Sequence, residues 1–78
     1  MELYPEIKIM IEKMLAVDAE AVTQDADLQF DLGADSLTLL TLSIAISEKY
    51  GIELLTDDII ELENIGELIS LVESRINT

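Results

Sequence analysis

Asp31-Leu32-Gly33-Ala34-Asp35-Ser36-Leu37 stands near the middle of a 78-residue chain and reads as a loop that hands one serine to the start of a helix. Gly33 permits a tight bend, Asp35 is a residue type that caps helix N-termini, and from Leu37 to Tyr50 neither Gly nor Pro interrupts the run. Ser36 is therefore predicted at the first helical position. Its hydroxyl would project from an exposed N-terminus, where orphan N–H groups and the positive dipole end favour an anion such as a phosphate diester. On spacing alone, the same residues also fit a plain capped helix start.

The helix from Ser36 to about Tyr50 carries two apolar stripes. At about 100° per residue, Leu39, Leu42, Ile46 and Tyr50 fall within about 80° of its circumference, and Leu37, Leu40 and Ile44 lie on roughly the opposite side. The first stripe is predicted to face the core. The second is a docking surface or one wall of a pocket, unless the helix is buried on two sides between neighbours.

Outward from this helix the chain stays helical. Leu3, Ile7, Met10, Ile11 and Met14 recur at spacings of three and four, and Pro5 is tolerated only in a first turn, so a helix is predicted from Leu3–Pro5 to near Ala16. Residues 17–35 hold Asp18, Glu20, Asp25, Asp27, Asp31 and Asp35 without a period and read as a long loop, with room for a short helical turn, pinned by Val22, Leu28, Phe30 and Leu32. Asp25 and Asp27 do not make an EF-hand, because Phe30 and Ser36 stand where Gly and a bidentate Glu are required; weak divalent binding by clustered carboxylates stays open. After Gly51, a helix-ending residue, Thr56 is predicted to cap a short helix through Ile59, Ile60 and Leu62. Asn64 with Glu67 resembles a capping box for a last helix bearing Ile65, Leu68, Ile69, Val72 and Ile76. The expected architecture is all-α, one domain over residues 1–78: a small bundle of three main helices and one short helix.

Composition narrows the function. A chain this short has no room for a deep enzyme cleft, and without Cys or His it lacks disulfides, thiolate chemistry, the usual general base and the commonest metal ligand. Seventeen acidic against four basic residues give a net charge of −13, which disfavours nucleic acid and anionic membranes and favours basic protein partners. No apolar run reaches the length of a membrane span, and Met1-Glu2-Leu3-Tyr4-Pro5-Glu6 lacks the basic start of a signal peptide. A cytoplasmic monomer is expected, although an exposed apolar stripe could also support dimerisation.

The motif at 31–37 closely resembles the attachment site of acyl carrier proteins, the small domains of fatty-acid and polyketide synthesis. Val17–Val22 with the acidic loop after it, and Tyr50-Gly51-Ile52, extend the resemblance over nearly the whole chain. The resemblance implies a covalent 4′-phosphopantetheine on Ser36, installed from coenzyme A by a Mg²⁺-dependent phosphopantetheinyl transferase and carrying acyl groups as thioesters. It makes Ser36 a substrate of another enzyme rather than a catalytic residue, and no metal is held by the chain itself. It further implies that Asp35 caps the helix and helps position serine and transferase metal, while Gly33 and Leu37 shape the docking surface.

Acyl carrier proteins commonly place acidic residues along the outer face of this helix, whereas here Thr38, Thr41 and Ser47 occupy such positions and Glu48 alone remains. Negative charge lies instead in the first loop and on Glu53, Asp57, Asp58, Glu61, Glu63 and Glu67. A specialised carrier is therefore expected, docking on acyl-transferring or synthase enzymes with basic and apolar sites through Leu37, Leu40, Ile44, Glu48, Asp57 and Asp58. Three other readings stay open: an aminoacyl or peptidyl carrier, an unmodified acidic interaction module and, last, an enzyme in its own right, for which the sequence lacks a general base and a pocket-sized body.

Overall fold

Three- and four-residue apolar spacing winds Leu3–Leu15 into α1, which buries Leu3, Ile7 and Ile11 and leaves Met10 and Met14 half-buried on the same core. It stops at Ala16, which takes the left-handed φ of 54° while the next N–H, on Val17, bonds back to the Glu12 carbonyl at 3.3 Å. The computed structural model describes residues 3–77. Met1 and Glu2, the start of the stretch weighed above for a leader, lie outside them, as does Thr78.

α2 spans Ser36–Tyr50, α3 Thr56–Ile60 and α4 Ile65–Ile76; no strand occurs among the described residues, and the fold is the all-α bundle expected. α2 packs against α1 and α3, and α1 also packs against α4. Their shared core is Ile7, Ile11, Leu39, Leu42, Ile46, Ile59, Ile65, Leu68 and Val72.

The long connection before α2 is held closely to this core. It contains one short 3-10 turn, Ala19–Ala21, and buries Val22, Ala26, Leu28, Leu32 and Ala34. The Tyr4 hydroxyl donates to the Val22 carbonyl at 2.8 Å, and carbonyls of Ala26 and Gln24 accept from Ile65 and Gly66 at 3.0 and 2.8 Å. Those two N–H groups open α4 and have no partner within the helix, so the loop satisfies the orphans of another element.

Phe30 does not pin the loop. Asp27 Oδ1 accepts the N–H groups of Gln29 and Phe30, and the Asp27 carbonyl accepts those of Asp31 and Leu32, winding 27–32 into a turn. Leu28 and Leu32, four apart, share its inner side; Phe30, midway between them, points outward and is 89% exposed.

Three helix-end assignments also differ in detail. Thr56 is the first residue of α3, not its cap: Leu55 occupies the cap position, and the Asp58 carboxylate reaches back to the Leu55 N–H at 3.0 Å. α3 ends at Ile60, before Leu62, with Ile59 as its buried residue. Asn64 does cap α4 by accepting from Glu67 N–H at 2.9 Å, but the Glu67 carboxylate accepts from Glu63 N–H rather than from Asn64.

Candidate functional site

Ser36 is the first residue of α2 and is exposed. The turn before it begins at Gly33, whose φ of 74° disfavours any residue with a Cβ although open space surrounds it. Buried Ala34 fixes the next position, its N–H donating to the Leu28 carbonyl at 2.8 Å. Asp35 follows in extended conformation, accepting the Thr38 N–H on its carboxylate at 2.8 Å and the Leu39 N–H on its carbonyl at 2.9 Å. The Ser36 and Leu37 N–H groups belong to the first turn and have no partner within the helix; that of Leu37 also helps to lower the Asp35 carboxyl.

The Asp35 carboxyl is held below its ordinary range, first by the Thr38 N–H and then by the Thr38 side chain. It is therefore an ionised cap at neutral pH. The four basic residues of the chain are Lys8, Lys13, Lys49 and Arg75, all distant in sequence from the serine, and the chain has no His or Cys; nothing local supplies a base for Ser36. Among the described residues, no cluster of three or more His, Cys, Asp or Glu is arranged to hold a metal ion. Two surface depressions, of about 570 and 200 Å³, are lined by Gln24, Asp25 and the α4 start, and by Leu3 with the α4 end; neither borders Ser36.

Behind Ser36 the two stripes of α2 separate. Leu39, Leu42 and Ile46 are buried and Tyr50 is half-buried; Leu37, Leu40 and Ile44 are 70%, 44% and 50% exposed. The Tyr50 hydroxyl donates to Glu6 at 2.8 Å, and burial followed by that carboxylate pushes its pKa well above the ordinary value, so it remains a neutral donor. Glu48 and Asp57 are exposed. Asp58 is engaged within the fold, pairing with Arg75 at 3.3 Å and capping α3, and these bonds lower its pKa, the Leu55 N–H foremost. Arg75 also donates to the Glu53 carbonyl at 2.7 Å, so it ties the end of α4 to the α2–α3 loop.

Ser47 departs from the outer-face placement. Half-buried, it donates to the Ser43 carbonyl at 2.7 Å and accepts the Leu54 N–H at 2.9 Å, clasping the loop that leads to α3. Ser43 is itself buried, its hydroxyl donating to the Leu40 carbonyl. The available signal was angular: two serines four residues apart, the first within about 60° of Leu39 on the helical wheel. The exposed Leu55 and Ile60 near α3 were likewise not singled out by the sequence pattern.

A protein-family model described as "Phosphopantetheine attachment site" matches residues 5–72. The chain is 37% identical over 73 residues to the acyl carrier protein of Helicobacter pylori (strain G27), covering 94% of each. It is 36% identical over 75 residues to that of Solidesulfovibrio magneticus, 96% of each, and 32% identical over 75 residues to that of Thermotoga maritima, 96% of this chain and 93% of the other.

Proposed function

Since the chain belongs to the acyl carrier protein family, we propose that it carries acyl groups as thioesters on a 4′-phosphopantetheine arm attached to Ser36. The observation that carries this reading is an exposed serine hydroxyl at the first position of a long helix, on a preceding turn that buried Ala34 and the ionised Asp35 cap hold in place. That position suits a phosphodiester, because a helix N-terminus offers N–H groups without an intrahelical partner and the positive end of the helix dipole. When bound, the arm supplies the thiol that a chain without cysteine lacks.

The chain acts as the substrate of partner enzymes in this reading. The Ser36 hydroxyl attacks the pyrophosphate of coenzyme A; its Oγ–P bond forms as the P–O bond to the nucleotide half breaks, and the hydroxyl proton passes to the transferase. Asp35 orients the serine by holding the first turn. Partner enzymes meet the strip of Leu37, Leu40 and Ile44 with apolar groups, and Glu48 and Asp57 with Lys or Arg. Asp58 serves that surface indirectly, by fixing α3 through Arg75. Among the described residues no helix is long and apolar enough to cross a membrane. The proposed setting is a cytoplasmic monomeric domain.

Intact-mass spectrometry after incubation with coenzyme A, Mg²⁺ and a phosphopantetheinyl transferase tests the attachment. A gain of one phosphopantetheine, absent in Ser36→Ala, is expected. No gain in folded wild-type protein with the host's own transferase would replace this reading with that of an unmodified interaction module.

A further inference from the structure

Phe30 is the chain's single phenylalanine, and it lies outside the core. A large apolar side chain left almost wholly in water gains nothing for the fold. Its backbone, in contrast, is held firmly. The Phe30 N–H donates to Asp27 Oδ1 at 2.9 Å, the Asp31 carboxylate accepts the Asp27 N–H at 2.7 Å, and the neighbours Leu28 and Leu32 are buried on the inner side. The aromatic ring is thus presented on a pre-organised turn, which lowers the ordering cost of burying it in a partner.

The surroundings indicate what kind of partner. The Gln29 amide reaches the Ile60 carbonyl at 3.5 Å, which sets the loop tip beside the end of α3, where Ile60 is also exposed. Exposed Asp31 and Glu61 adjoin these two residues in sequence. An apolar pair with acidic neighbours on a chain of net charge −13 repels a second copy, nucleic acid and anionic lipid, and complements an apolar pocket rimmed by Lys or Arg.

Phe30 precedes Ser36 by six residues, so their Cα atoms are at most about 20 Å apart even if the chain were extended. The Ala34–Leu28 hydrogen bond folds that segment back on itself. A standard interface is about 30 Å across, so one enzyme acting at Ser36 can cover Phe30 in the same contact. We infer that Phe30, with exposed Ile60 at the end of α3 that the neighbouring Gln29 amide reaches, is an anchor that seats in an apolar, basic-rimmed pocket of the phosphopantetheinyl transferase that modifies Ser36. This inference rests on the attachment reading above.

The test uses the apo-protein as substrate for the host's own transferase at saturating coenzyme A and Mg²⁺, with modification followed by intact mass. Phe30→Ala is expected to raise KM for the carrier at least tenfold with kcat within twofold of wild type and an unchanged thermal midpoint, and Phe30→Leu to recover part of the loss. KM within twofold of wild type for Phe30→Ala, or a loss confined to kcat, overturns the anchor while leaving Ser36 attachment intact. If Phe30→Ala instead lowers the thermal midpoint, Ile60→Ser decides: a raised KM in that variant supports the patch, and an unchanged one overturns it. Absence of any mass gain in wild type removes attachment and anchor together.

Discussion

Leu42 and Ile44 stand two residues apart on α2 and meet opposite fates. Leu42 is buried against its neighbours, and Ile44 is half in water. The serines reverse the pattern: Ser43 lies in the core and Ser47 is half-buried at its edge, on the side of the helix that covers the loop to α3. Burial along α2 therefore follows which elements pack against each side, α1 and α3, and not the polarity of the residue. A polar group is tolerated inside because its hydrogen bonds are met, and apolar groups stay outside because no part of the fold covers them.

The contrast would break most visibly under truncation. Ile46→Ala is expected to cost about 2–5 kcal/mol in urea denaturation, whereas Ile44→Ala should stay within about 0.5 kcal/mol and show its effect in transferase kinetics. Equal losses of stability would place Ile44 in the core and remove it from the docking strip. A finer test separates the two serines. Ser47→Ala strands the Leu54 N–H and should cost about 1–3 kcal/mol, while Ser43→Ala, which leaves no donor unpaired, should cost less than about 1 kcal/mol by the same measurement. If Ser43→Ala proved the more damaging, the clasp to Leu54 would not be what holds the α2–α3 loop.

The smallest expected effect concerns pH. The folded pKa of Asp58 lies below the ordinary 3.8, so the stability it adds is complete above that value and is lost as pH falls through the lower folded value. The thermal midpoint of wild type should exceed that of Asp58→Asn near neutral pH, and the gap should close under acid conditions. Taking the difference between the two proteins removes the opposite effect, shared by both, of relieving repulsion among 17 acidic residues. A gap independent of pH would mean that ionisation of Asp58 contributes nothing, through the Leu55 N–H or through Arg75; 0.5 M salt should narrow the Arg75 part, since both side chains are partly solvated.

Local signals made most of the bundle legible. The apolar spacing of Leu3, Ile7 and Ile11 and of Ile65, Leu68 and Val72 predicts α1 and α4, because a single packed face demands that period. Gly33, Asp35, Asn64 and Gly51 act through their own backbone or the next turn, so their roles as bend, caps and helix end could be read from residue type. The same locality places Ser36 at the start of α2.

Phe30, Ser47 and Asp58 were not legible in this way. Phe30 is an apolar residue in a loop, and only the Asp27 turn decides that it faces water. Ser47 looks like a surface residue until Leu54 comes back across the helix, and Asp58 looks like free surface charge until α4 brings Arg75 to it across 17 residues. Helix type and most helix ends are set within about four residues of chain, which is why the sequence by itself determined that four helices form and where Ser36 stands, although the cap and the end of α3 differed. Which side of α2 is covered, which carboxylates are left for a partner, and which aromatic is presented to one depend on contacts between distant segments, and only the tertiary structure decided them.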